Sequence, residues 1–275
     1  MRAPETRGPS AAWWLVGLAV VAIVSPWVAP FDPAAQPDIV NGAGRPPAWP
    51  HLLGTDGYSR DVLSRLLHGT RVSLGLGLSA GLLTAALGTA LGLVAGLGAR
   101  GVDALLMRTV DAAVAVPRVV VLAAAMAVAG PLSTPALVLV LGATGWFGIA
   151  RVVRTEVRTL RRADWVLAAV AQGVPPLRVW WRHVLPAVAP TIGVATTLAV
   201  AQTIGLEAAV SYLGLGVQPP VASWGTMLAD AADQPWRWWW LLAAPGAALL
   251  GTTLACNALA DALRAGRTGG EVASP

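Results

Sequence analysis

Few side chains in this sequence could do chemistry, and their spacing limits what kind. Glu207 is the one acid deep inside an apolar run, with Gln202 shortly before it. A carboxylate in lipid is costly, so it should face a bundle interior or a partner. It reads either as a proton relay or solute contact, or as a helix-end carboxylate hydrogen-bonded to nearby backbone or to Gln202. Arg108 and Asp111 stand at i, i+3 on another stretch and can pair with each other near the membrane interface. His51, His68 and His183 are far apart in sequence, and the single Cys256 lies in an apolar run. Neither pattern has metal-ligand spacing. There is no Walker A, HExxH or GxSxG sequence. The chain therefore reads as neither an enzyme nor an ATPase, with no cofactor of its own, and transport or a structural membrane role is what remains.

The densest chemistry is positive charge. Residues 151–186 carry Arg151, Arg154, Arg158, Arg161, Arg162, Arg178 and Arg182 against only Glu156 and Asp164. Apolar runs of roughly twenty residues, the length of a membrane span, flank this island. A short basic loop between spans stays on the cytoplasmic side. The island is too long for a bare turn. A short helix over Ala163–Gln172 is followed by Gly173, a natural stop, and by Pro175 and Pro176. A second helical piece, Leu177–Val184, is expected to end at Leu185-Pro186. A helix–Gly–helix wedge suits a groove on another protein, and it equally suits an anionic lipid surface.

Composition supplies the elements that position these groups. Apolar residues make up 56% of the 275 and charged residues 12%, against about 25% in soluble domains. All nineteen basic side chains are Arg, and they cluster at span ends, which fits topology signals better than a nucleic-acid surface. The expected architecture is all-α and polytopic, with about six transmembrane helices. Ala11–Ala29 is the first span, retained or cleaved as a signal. Residues 1–30 then hold a tail and this span, and 31–70 a proline-rich extracytoplasmic segment. Asp61–Leu67 there has an amphipathic pattern, capped by Thr55 or Ser59, that suits a separate helix at the membrane boundary. Residues 71–265 hold five more spans and the loop 151–186, leaving 266–275 as a cytoplasmic tail. Val72–Ala99 sets Gly77/Gly81 and Gly88/Gly92/Gly96 four apart, one face each for close helix approach. A helix over about Leu105–Gly130 is interrupted at Pro117 and Arg118. Leu137–Ala150, Ala187–Leu213 and Trp238–Ala260 complete the six, the last opened by a Trp cluster typical of an interfacial belt. Both termini are then cytoplasmic.

Four segments carry a resemblance. Ala168-Ala169-x3-Gly173, then nine residues, then His183-Val184-Leu185-Pro186, resembles the coupling loop of ABC importer permeases, although Leu167 and Val170 depart from that family's acidic and basic positions. Gly54-Thr55-Asp56 with Ser59–Arg65 and Gly69-x-Arg71-x-Ser73-Leu74 is similar to the entry segment of the dipeptide/oligopeptide/nickel group. So are Met107-Arg108-x-x-Asp111 with Pro117, Glu207–Pro220 and Ser223-Trp224-Gly225-x-Met227-Leu228. The similarity is greatest to C-type subunits. It implies a permease of the bacterial inner membrane that forms half of a pathway for peptides or similar small solutes, with nickel or a metal chelate as the alternative cargo. It also implies partners: a second permease, related more often than identical, cytoplasmic ATP-binding subunits and an extracytoplasmic solute-binding protein. Ala168, Ala169, Gly173, His183, Leu185 and Pro186 become the ATPase-coupling residues. Glu207, Gln202, Asp111 and Arg108 become pathway or structural polar groups. The small-residue face of 77–96 and the 191–211 span become candidates for the pathway wall. A membrane scaffold or receptor is the reading from a different class.

Overall fold

The computed structural model describes residues 7–272; the basic start at Arg2 and the last residues of the expected tail lie outside them. Long runs of Ala, Leu and Val without charge become helices, because hydrocarbon offers no partner for an unpaired N–H or C=O. In chain order these are α1 (Arg7–Val28), α2 (Ile39–Gly42), α3 (Val62–Leu97), α4 (Arg100–Val114), α5 (Arg118–Ala129), α6 (Thr134–Ala143) and α7 (Phe147–Leu160). Then come α8 (Asp164–Ala171), α9 (Pro176–Val179), a π turn (Trp180–Val184), α10 (Leu185–Tyr212), α11 (Trp224–Ala231) and α12 (Trp239–Val272). Four helices are long and apolar enough to cross a membrane alone; counting each of the bent pairs α4–α5 and α6–α7 as one span brings the number to six. No strand occurs among the described residues, so the protein is all-α and polytopic.

The axis of the bundle is α3, which packs most extensively against α7 and α10. Its two glycine faces meet these two neighbours. A β-carbon on Gly81 would lie 2.8 Å from the Val200 backbone of α10, and one on Gly92 would lie 2.7 Å from the Ala150 carbonyl of α7. The expected packing role is what the helix shows. The same contacts remove the 77–96 face from the candidates for a pathway wall, since α7 and α10 fill it.

Five local expectations change. The Asp61–Leu67 helix is not separate: it forms the first turns of the 36-residue α3. Its cap is Asp61, which accepts from the Ser64 N–H at 2.7 Å, in place of Thr55 or Ser59. The second piece of the basic loop does not end at Leu185-Pro186. It runs through the π turn into α10, with the Leu185 N–H bonded five residues back to the Trp180 carbonyl. Widening by one residue accommodates Pro186, which has no N–H to give and would crowd a carbonyl of the preceding turn. The outer loop holds the unanticipated α11, opened by a reciprocal Ser223/Thr226 capping box. The Trp cluster is also split. Trp236 and Trp239 are exposed, but Trp240 is buried and donates Nε1–H to the Thr55 carbonyl at 3.2 Å. Helix α12 continues through Val272, beyond the expected start of the tail at 266.

Replacing Gly92 by Val should cost about 1–3 kcal/mol of overpacking. The readout is a lowered unfolding midpoint in detergent, with the open-sided Gly75→Val as the neutral comparison.

Candidate functional site

The basic loop folds as a short arm. Helix α8 closes at Gln172 in a Schellman arrangement: Gly173, at φ +79°, donates to the Val170 carbonyl (3.0 Å), and Val174 donates to Ala169 (3.1 Å). An L side chain at Gly173 would carry the cost of left-handed backbone, about 1–2 kcal/mol. Open space surrounds that position, so the demand is conformational.

The arm has two faces. Val166 is 2% exposed and joins Val179, Val184 and Val188 in one apolar core with Val153 and Val157 of α7, while Ala163, Ala169 and Val174 pack around it. On the other side Leu167, Ala168, Val170 and Trp181 are exposed, Trp181 at 67%. Of the six residues singled out for coupling, Ala168, Gly173, His183 and Pro186 are exposed, whereas Ala169 and Leu185 are half-buried. His183 lies beside Trp165, ring centroids 6.1 Å apart. The arrangement is an exposed, largely apolar surface packed on a buried valine row.

The other polar candidates separate. Glu207 is buried, and Ser211 Oγ and Ser73 Oγ donate to its two carboxylate oxygens at 2.7 and 3.0 Å. Ser73 in turn accepts from the Trp224 N–H (3.0 Å), and Ser211 from the Val217 N–H (3.0 Å). The carboxylate thus ties α3, α10 and the start of α11 together. Gln202 is exposed on another face of α10 and has no part in this. The pairing of Arg108 with Asp111 is replaced by a cross-helix pair, Asp111 with Arg151 of α7. Antiparallel packing of α4 on α7 brings Arg151 to Asp111, and also brings Arg154 and Arg158 to Asp103.

Two further groups were not anticipated from the sequence. At the proline-rich end, Arg60 bonds Asp56 (2.6 Å), and Arg60 and Arg65 both reach Asp230 of α11 (2.8 and 2.7 Å). Burial pushes the Asp230 carboxyl up, and the two guanidiniums offset this in part. The Asp56/Arg60 spacing is a visible i, i+4 signal, but nothing local points to Asp230. At the bends of the broken spans, Arg118 donates to the Leu141 carbonyl (2.7 Å), and Thr84 Oγ1 donates to the Gly142 carbonyl (3.1 Å). They satisfy the backbone acceptors that the α6–α7 break exposes.

Residues 88–266 match the family described as binding-protein-dependent transport system inner membrane component, and the chain belongs to that family. It is a multi-pass inner-membrane permease component of ABC importers. It is 38% identical over 251 residues to the di/tripeptide transport system permease protein DppC of Pseudomonas aeruginosa (strain UCBPP-PA14), covering 88% of this chain and 81% of that one. It is 36% identical over 250 residues to a putative peptide transport system permease protein of Brucella suis biovar 1 (strain 1330), covering 91% and 83%.

Substituting Glu207 by Ala leaves the Ser73 and Ser211 hydroxyls without their acceptor and should cost about 3 kcal/mol of stability. Gln202→Ala should cost no more than about 0.5 kcal/mol. Denaturant unfolding of both variants in detergent measures the difference.

Proposed function

We propose that this chain is one of two permease halves of an ATP-driven importer of peptides or similar small solutes, and that α8, Gly173 and α9 form its coupling arm. The observation that carries this is the exposed apolar face of Leu167, Ala168, Val170 and Trp181, seated on the buried Val166–Val179–Val184 row. An apolar surface this rigid suits a groove on a cytoplasmic ATP-binding subunit. The seven arginines of the loop support a cytoplasmic placement for the arm, and an even number of spans then puts both termini on that side.

The names of the relatives support peptides as cargo, ahead of nickel or a metal chelate. An extracytoplasmic binding protein delivers the solute at the opposite end, where the Asp56/Arg60/Arg65/Asp230 cluster holds the proline-rich segment against α11. A related second permease completes the pathway. ATP is bound by the partner subunits, and its use pushes on the arm. Helix α10 is continuous from the π turn to Tyr212, so a displaced arm carries the span with it as a rigid body, the basis of alternating access.

Co-purification after mild detergent extraction tests the arm. Wild type should bring down an ATP-binding subunit and a second permease. Gly173→Trp, and replacement of Ala168–Gly173 by Ser and Gly, should lose the ATP-binding subunit while keeping the permease. An ATP-binding subunit that stays with both variants, or is missing from wild type, sinks the assignment.

A further inference from the structure

Where α3 ends and α7 leaves the bundle, the chain forms a cleft of about 670 Å³ lined by Gly98, Ala99, Arg100, Asp103, Arg158, Arg161 and Arg162. We propose that this cleft is a binding site for a phosphate group, carried in the native membrane by the headgroup of an anionic phospholipid.

Charge is the first argument. Asp103 is the one acid in the lining, and its two oxygens are already engaged by Arg154 and Arg158. Arg161 donates to the Leu97 carbonyl at 3.2 Å, the end of α3, which holds its guanidinium over the cleft. Among the described residues, no ion pair to a carboxylate joins Arg100, Arg161 or Arg162. Three guanidiniums therefore converge on one hollow without a counter-ion. Loop retention by positive charge requires only the number of arginines in the loop. It requires neither a hollow nor a shared focus within it.

The backbone is the second argument. Helix α4 begins at Arg100, and its N-cap residue, Ala99, makes no side-chain cap. The first N–H groups of this 15-residue helix thus open at the cleft wall, where an anion is favoured by both hydrogen bonding and the helix dipole.

Depth is the third argument, and it names the source. The apolar span of α3 ends at Leu97, and the cleft starts at the next residue, Gly98. Val157 of α7 packs on Gly96, so Arg158, Arg161 and Arg162 lie level with the end of α3. That is headgroup level. Basic pockets between spans on the cytoplasmic side suit lipid phosphate for the same reason. Guanidinium forks match a phosphate with paired donors.

The test is lipid retention by the full chain, purified with whatever subunits accompany it, counted by native mass spectrometry after adding phosphatidylglycerol, diacylglycerol or inorganic phosphate. Wild type should retain phosphatidylglycerol and release diacylglycerol of the same chain length. Each guanidinium removed should weaken retention about fivefold, so Arg161→Gln/Arg162→Gln together should weaken it about 25-fold. Arg264→Gln, which removes a charge at the exposed end of α12, should leave it unchanged. Should the double variant misfold, loss of phosphatidylglycerol from wild type on titrating salt stands as the second readout. Binding of inorganic phosphate without phosphatidylglycerol would keep the phosphate site and overturn the lipid source. Equal retention by wild type and the double variant, or equal retention of phosphatidylglycerol and diacylglycerol, overturns the site.

Discussion

A chain in hydrocarbon has no solvent to absorb an unpaired polar group, and this constraint organises the molecule. Glu207 shows it most directly. A carboxylate on a membrane-spanning helix is tolerable because Ser73 and Ser211 donate to it from two helices, and those hydroxyls are held by the backbone of α11 and of the loop before it. What looks on a linear sequence like an expensive anomaly is the knot that closes the end of the bundle opposite the basic loop. Arg118 does equivalent work at the bends, where a broken helix would otherwise leave carbonyls bare.

Close backbone packing follows from the same constraint. Lipid tails are as apolar as leucine, so helices gain little by hiding apolar surface from them and must instead approach one another closely. Glycine at four-residue spacing lets α3 lie against α7 on one face and α10 on the other. The packing of α3 on these two neighbours runs from Gly77 to Gly96. The arm sits on the valine row shared by α7, α8 and the π turn, and α10 leads from that row to Glu207. On the proposed reading, a push at the arm reaches the outer loop through a single helix, without a relay of side-chain switches.

Ion pairs divide by location in an informative way. At the basic end the carboxylates are few, and Asp103 and Asp111 each fasten α4 to α7 through arginines. Arg100, Arg161 and Arg162, which join none of these pairs, line the cleft at the end of α3. At the proline-rich end the charges are buried and nearly balanced, and they serve to fix a loop that has little regular structure of its own.

Number and placement of spans, the arm with its glycine stop, and the close-packing role of the α3 glycines were legible in the sequence. They rest on local properties: apolar run length, φ preference and four-residue spacing. The partner of Asp111 was not legible, because the i, i+3 neighbour Arg108 competes with Arg151, and only the packing of α4 on α7 decides between them. Ser211, at i+4 from Glu207 on the same helix, was within reach of a sequence reading, but the approach of Ser73 to Glu207 and the reach of Arg60 and Arg65 to Asp230 were hidden; those partners are more than a hundred residues apart in sequence. The continuity of α10 through Pro186 was also decided in three dimensions, since a proline reads as a stop until a π turn makes room for it. By itself, then, the sequence determined which segments enter the membrane and where the chain turns, because those depend on each residue's own affinity for lipid and its own backbone freedom. The tertiary structure alone decided which polar group answers which, because a hydrogen bond is specified by the meeting of two surfaces and neither strand of sequence carries the other's position.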